Sequence, residues 1–209
     1  MDSSERSIEE NTTKSPIWRD KLLLTLLTIA VIGVVLQITL GGVVRITGSG
    51  DGCPDWPTCF GKVFPPLDQE TIDLLYDGPR QTTPRPHNVI LEYSHRTNGS
   101  LIGLIIIAAM IRAWTRHRAT KVVAWLLTTE FILITIVGGI GGAVVLSDLD
   151  PAIRTVHLFL AEIVILFGVM ALIAALYGRQ SSVVGTSKWM WGRVNDEHRS
   201  ALMLSVTAG

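Results

Sequence analysis

The chain has 209 residues, 48% of them hydrophobic and 17% charged, with as many basic as acidic side chains and a mean hydropathy of +0.40. That is too apolar for an ordinary soluble domain and too regular in pattern for a disordered one. An integral membrane protein fits, and no nucleic-acid partner is expected.

Residues 1–20 are polar and acidic without an apolar period, and read as a cytoplasmic tail. Four segments follow, about 22–44, 90–111, 122–146 and 153–177, each long enough to cross ~30 Å of hydrocarbon at ~1.5 Å per residue. They predict an all-α, polytopic four-helix membrane bundle over 21–178. A cleaved signal peptide is not expected, because the first apolar run is long and follows a polar stretch with no small-residue cleavage pattern. A second tail covers 179–209, and its apolar end, "ALMLSVTAG", is too short to span.

Basic residues set the orientation. Arg19 and Lys21 precede the first span, Arg112, Arg116, Arg118 and Lys121 join the second to the third, and Arg179 follows the fourth. These ends belong in the cytoplasm, with Trp18, Trp114, Trp125 and Tyr177 as an aromatic belt. Both termini are then inside, and segments 46–89 and 147–152 outside. The long outer loop 46–89 is expected to hold ordered turns and one short helix around "LDQETIDLLY". Its "GSGDGCPDWPTCFG" carries Cys53 and Cys59, the chain's two cysteines. An oxidising exterior and the short spacing favour a disulfide over two free thiols, and a zinc site lacks further ligands nearby.

A weak internal repeat runs through the spans. The first and third share a Gly-Gly outer half, "TLGGVVRITGSG" against "IVGGIGGAVVLSD", and the second and fourth each carry one histidine near their outer start. The bundle thus reads as two repeated helical hairpins. Gly138 and Gly142, like Gly99 and Gly103, stand four apart and offer a flat strip to a neighbouring helix or a flat ring. His157 lies six residues after Asp150-Pro151, a cap followed by a first-turn proline, and His95 seven after Asn88, a candidate cap. Both imidazoles reach about the same depth, so on facing helices they can supply the two axial positions of one haem iron. The competing reading has each ring only hydrogen-bonding a neighbour. His87, His117 and His198 are taken as solvated.

Glu92 stands one turn before His95, on the same face. Spacing leaves open whether it orients the ring or acts as acid, base or cation stabiliser beside a haem edge. Arg45, Arg96 and Arg154 lie near outer helix ends as candidate contacts for haem propionates, with interfacial snorkelling as the alternative. Glu130 and Glu162 fall near mid-membrane, where they are protonated, paired or part of a proton path; Glu162 points away from His157.

The run "LGGVVRITGSGDGCPDWPTCFGKVFPP", then "EYSHR" opening the second span and a lone histidine opening the fourth, resembles the haem A synthase family of bacterial and mitochondrial inner membranes. The resemblance covers roughly residues 30–177. It implies an oxidoreductase of haem A biosynthesis that converts the C8 methyl of haem O to a formyl group for cytochrome oxidase assembly. His95 and His157 would be axial haem ligands, Glu92 the catalytic acid, and Cys53–Cys59 the loop disulfide. Haem O and haem A enter as substrate and product, with haem B as a further candidate, in a prokaryotic cell membrane. Familiar members have eight helices in two halves, and this chain matches the half with the Glu-x-x-His element. A homo-oligomer, a second membrane subunit or a one-haem mechanism is therefore expected to replace the other half, with haem O synthase or a terminal oxidase as candidate partners. A cytochrome b-like electron carrier and a haem-delivery factor are the alternative functions.

Overall fold

The computed structural model describes residues 17–78, 83–117 and 121–183. Most of both tails, His198, Arg118 and the side chains of Trp18 and Arg179 lie outside the described residues. Among the described residues, five α-helices follow a single 3-10 turn at Ile17–Arg19: α1 (Lys21–Ile46), α2 (Gln69–Leu75), α3 (Pro86–Arg116), α4 (Lys121–Leu146) and α5 (Pro151–Val183). All but α2 are long and apolar enough to cross a membrane, with mean hydropathies of 2.5, 1.5, 2.0 and 2.7 in chain order. The chain is a multi-pass membrane protein.

The helices form an antiparallel ring in which α1 packs on α3 and α5, and α4 on α3 and α5. This is the expected pair of hairpins, α1–α3 and α4–α5, with α3 and α5 on one diagonal. Threonines on the outer faces close their hydroxyls onto the carbonyl four residues back, as at Thr28, Thr39, Thr115, Thr135 and Thr155. A hydroxyl facing hydrocarbon has no water to bond, so the preceding turn supplies its acceptor.

Three apolar clusters stack along the axis. At the end away from the disulfide, Leu23, Leu27, Val123 and Leu127 meet Ala109, Ala113, Ala171 and Ala175. The alanines let the helix backbones approach closely. Ala30, Val34, Ile102, Ile106, Val137 and Val164 fill the middle. Cys53, Cys59, Phe60, Ile72 and Val89 form the third under the long loop.

The helices agree with the expected spans to within two residues at each end, except that α5 runs six residues further and α3 starts four earlier and ends five later. Pro86 is its first residue, since proline's fixed φ and missing N–H suit that position. Asn88 is not the cap: its side-chain oxygen accepts from the Arg85 N–H, and its amide donates to Ser49 Oγ at 2.9 Å, tying the loop to α3. Asp150 caps α5 as expected, accepting from Ala152 and Ile153. The short loop helix is α2, capped by Asp68.

His117 corrects an expectation. Rather than being solvated, it is buried and its Nε2 lies 2.8 Å from Asp20 Oδ2. Asp20 also caps α1 through the Leu23 N–H and takes Nε and Nη2 of Arg112 at 3.0–3.1 Å. The start of α1 and the end of α3 are thereby joined by a buried charged cluster. Asp20 touches Arg112 and His117 across the bundle but lies more than ninety residues from both in sequence, which hid the cluster from local reading. His87 is exposed in the first turn of α3. Trp114 and Trp125 meet edge to face at 5.1 Å, and the Trp114 indole donates to Thr128.

Candidate functional site

His95 on α3 and His157 on α5 face each other across the diagonal of the ring, within electrostatic reach. Counted from the helix starts they differ in depth, because α3 protrudes further. Their neighbours restore the match. A Cβ on Gly41 of α1 would stand 3.1 Å from His95 Nε2, and one on Gly141 of α4 would stand 3.0 Å from His157 Cε1. Each of these glycines lies five residues before the end of its helix, Ile46 or Leu146, so both rings sit at one level. The repeated Gly-Gly elements are thus recesses in which an imidazole lies against a bare helix backbone.

The His157 ring has a defined tautomer. Its Nδ1 lies 3.0 Å from the Val137 carbonyl oxygen, which can only accept, so Nδ1 carries the proton and donates. Nε2 keeps its lone pair, the form in which imidazole ligates a metal. His95 has no side-chain hydrogen bond among the described residues. One turn deeper, Asn98 donates to Gln37 Oε1 at 2.9 Å, closing the α1–α3 seam beneath His95.

Glu92 is buried, 5% exposed, and pairs with Arg96 Nε at 2.7 Å through its Oε1. Its Oε2 takes no hydrogen bond among the described residues. Asp51, also buried, is within electrostatic reach of it. Arg96 does not stand free for an outside anion: Nη1 donates to the carbonyls of Asp55 and Thr58 at 2.6 and 2.8 Å, and Nη2 to that of Cys53 at 3.1 Å. Arg45 is exposed and Arg154 half-buried at the same end of the bundle.

The loop bearing these carbonyls is closed by the Cys53–Cys59 disulfide. Inside it Asp55 accepts from Thr58 Oγ1 and from the N–H groups of Phe60 at 2.6 Å and Gly61 at 2.9 Å. Burial works against its charge, yet the bonds from Thr58, Gly61 and Phe60 hold its carboxyl below the usual range. Phe60 and Gly61 have positive φ, and at Gly61 the residue type removes the strain. Trp56 reaches from this loop to α4, where a Cβ on Gly142 would meet the indole at 2.6 Å. The loop therefore roofs the histidine level. Asp51, Asp55 and Trp56 escaped sequence reading as members of the site; the acids packed into "DGCPDWP" were the available signal.

Glu130 is completely buried on α4, with neither oxygen partnered among the described residues, and Gly168 of α5 makes room for it: a Cβ there would lie 2.6 Å from Oε1. Glu162 is exposed on the outer side of α5. The structure brings neither to the histidine pair. Among the described residues no three His, Cys, Asp or Glu side chains cluster as a metal site.

Residues 24–208 match the family described as cytochrome oxidase assembly protein, COX15-CtaA. Curated relatives include the heme A synthases of Exiguobacterium sp., 36% identical over 132 residues, and of Alkalihalophilus pseudofirmus, 34% identical over 127, each match covering 60% of this chain. The heme A synthase of Bartonella bacilliformis is 29% identical over 180 residues, or 76% of the chain. The chain spans between 36% and 48% of the length of these relatives. No solved structure matches it. A family match over most of the sequence, with the Glu-x-x-His and Cys-loop elements meeting in one place, means that the chain belongs to the COX15-CtaA family.

Proposed function

We propose that this chain is a haem A synthase-like oxidoreductase, oxidising the C8 methyl of haem O to a formyl group in haem A biosynthesis for cytochrome oxidase assembly. The observation that carries this reading is the level pair His95 and His157, each against a helix glycine, with the Glu92 carboxylate one turn above. His157, fixed by the Val137 carbonyl, has the tautomer of a ligand, and the bare backbones at Gly41 and Gly141 leave the imidazoles close to both helices. Those donors fit a low-spin haem better than a mononuclear site.

In this reading His95 and His157 hold the haem, whose iron supplies the redox chemistry. Glu92 does the rest through its free oxygen. Oxidation of a porphyrin-edge methyl develops positive charge at carbon and releases protons, and a fixed carboxylate stabilises the first and accepts the second. Arg96 keeps the Glu92 charge compensated, and the roof of Trp56 over Gly142 limits water around it. Two such two-electron oxidations, each taking up one water and giving its two electrons to an external electron acceptor, yield the hydrated aldehyde, which loses water to the formyl group. Arg45 and Arg154, at the same end, are the better candidates for propionates, since Arg96 is engaged.

The basic ends of the helices support placing the loop outside and both termini inside a prokaryotic cell membrane. Exposed Glu162, flanked by exposed Phe159 and Leu166 on a spanning helix, supports a further membrane surface against α5, from a second copy or another subunit. The test is expression in a haem O-producing host followed by haem extraction. Haem A that is lost in Glu92→Gln while haem binding persists supports the enzyme; haem B alone, indifferent to that change, refutes it in favour of an electron carrier. A low-spin spectrum that survives both His95→Ala and His157→Ala would remove the ligand assignment.

A further inference from the structure

We propose that Arg96 is a positioning residue that suspends the Glu92 carboxylate from the disulfide loop, so that the loop's conformation sets where the free oxygen of Glu92 points. This rests on the reading of Glu92 given above. The geometry is that of a built receptor for one guanidinium. Three carbonyls, of Cys53, Asp55 and Thr58, converge on its two terminal nitrogens from within the seven-residue ring closed by the disulfide. Nε, on the opposite edge, is left for Glu92. The Arg96 side chain is 13% exposed and that of Glu92 7%, so water competes little for either.

Two physical points make the loop the controlling partner. An arginine near the end of a spanning helix can swing its long stem toward the interface, and nothing in the i,i+4 relation to Glu92 prevents both side chains from leaving together. The carbonyl receptor prevents it. The pairing is also one-sided: Oε1 is consumed by Nε, and Oε2 is left without a partner among the described residues. Rotating the guanidinium would rotate that free oxygen with it. A lysine could carry the charge but, as a point donor on a flexible stem, cannot meet three carbonyls and a carboxylate in one plane. Asp55 is a second control from outside the pair, because it holds the turn that presents the carbonyls.

The experiment compares wild type with Glu92→Gln, Arg96→Lys, Arg96→Gln, Arg96→Gly and Asp55→Asn in the haem O-producing host. Haem retained per protein and the haem A fraction are read together, and the Cys53–Cys59 disulfide is followed by thiol labelling. Arg96→Lys and Arg96→Gln should lower the haem A fraction roughly tenfold to a hundredfold, the scale of a misplaced catalytic group, while haem and disulfide are retained. Asp55→Asn should lower it less, and Asp55→Asn combined with Arg96→Gln should be no worse than Arg96→Gln alone. Methylguanidinium should restore part of the conversion to Arg96→Gly, which a general loss of folding would not allow. Wild-type conversion in Arg96→Lys or Arg96→Gln, with Glu92→Gln inactive, overturns the positioning role and leaves the function standing. Full conversion by Glu92→Gln overturns the catalytic reading itself. Should the Arg96 variants fail to accumulate, Asp55→Asn decides: reduced haem A with haem retained supports the proposal, and unchanged haem A refutes it.

Discussion

Replacing Asp20 by Asn separates two jobs that one side chain performs. As cap of α1 it accepts from the Leu23 N–H, and Asn caps nearly as well. As an anion it takes two donors of Arg112 and one of His117 while 9% exposed. Burial alone would raise its pKa, but the hydrogen bonds from Arg112, His117 and Leu23 more than offset that and bring it from 3.8 down to about 2. At ~1.4 kcal/mol for each tenfold change in proton affinity, the charged form contributes on the order of 2–3 kcal/mol to the folded state. The folded value is depressed, so this stability is complete above the unfolded value of 3.8 and is lost as pH falls from there through about 2. Unfolding by dodecyl sulfate in mixed micelles, followed by circular dichroism, measures it. Asp20→Asn should be less stable by about that amount at pH 7, and its deficit should shrink as pH falls through 3. Asp20→Ala should lose about 1 kcal/mol more, for the cap. A deficit below about 0.5 kcal/mol, in the range of ordinary surface changes, or one that is the same at pH 7 and pH 3, would refute the reasoning.

Gly141→Ala places a methyl 3.0 Å from the His157 ring, and Gly41→Ala one 3.1 Å from that of His95; each should shift or broaden the low-spin haem spectrum, whereas Gly103→Ala, facing open space, should not. Gly168→Ala forces a methyl to 2.6 Å from Glu130 Oε1 and should cost about 1–3 kcal/mol in the same unfolding assay, with most of it recovered in the Gly168→Ala, Glu130→Ala double variant. Glu162→Leu should reduce the apparent mass in light scattering if α5 docks against another membrane helix; an unchanged mass would leave its outer face to lipid. Trp56→Ala should keep the disulfide and lower the haem A fraction, since it opens the roof over Gly142 without touching Arg96; an unaltered fraction would show that the roof has no part in conversion.

Apolar length was enough to read four spanning helices, because hydrocarbon demands that each segment satisfy its own backbone, and that requirement is local. The hairpin repeat, the Asp150 cap, the short loop helix and the matched histidines were legible for the same reason: each depends on a few residues or on helical spacing. Pairing across the bundle was not. That Arg96 serves the loop and Glu92 rather than an outside anion depends on three carbonyls forty residues upstream. That His117 is buried depends on Asp20, ninety-seven residues before it. Glu130 and Glu162 read alike in sequence, two acids at similar depth on apolar helices. Only the packing of α4 against Gly168 and the outward turn of α5 send one to the core and the other to the surface, because burial is set by which helix faces meet, and helix faces meet through contacts distant in sequence.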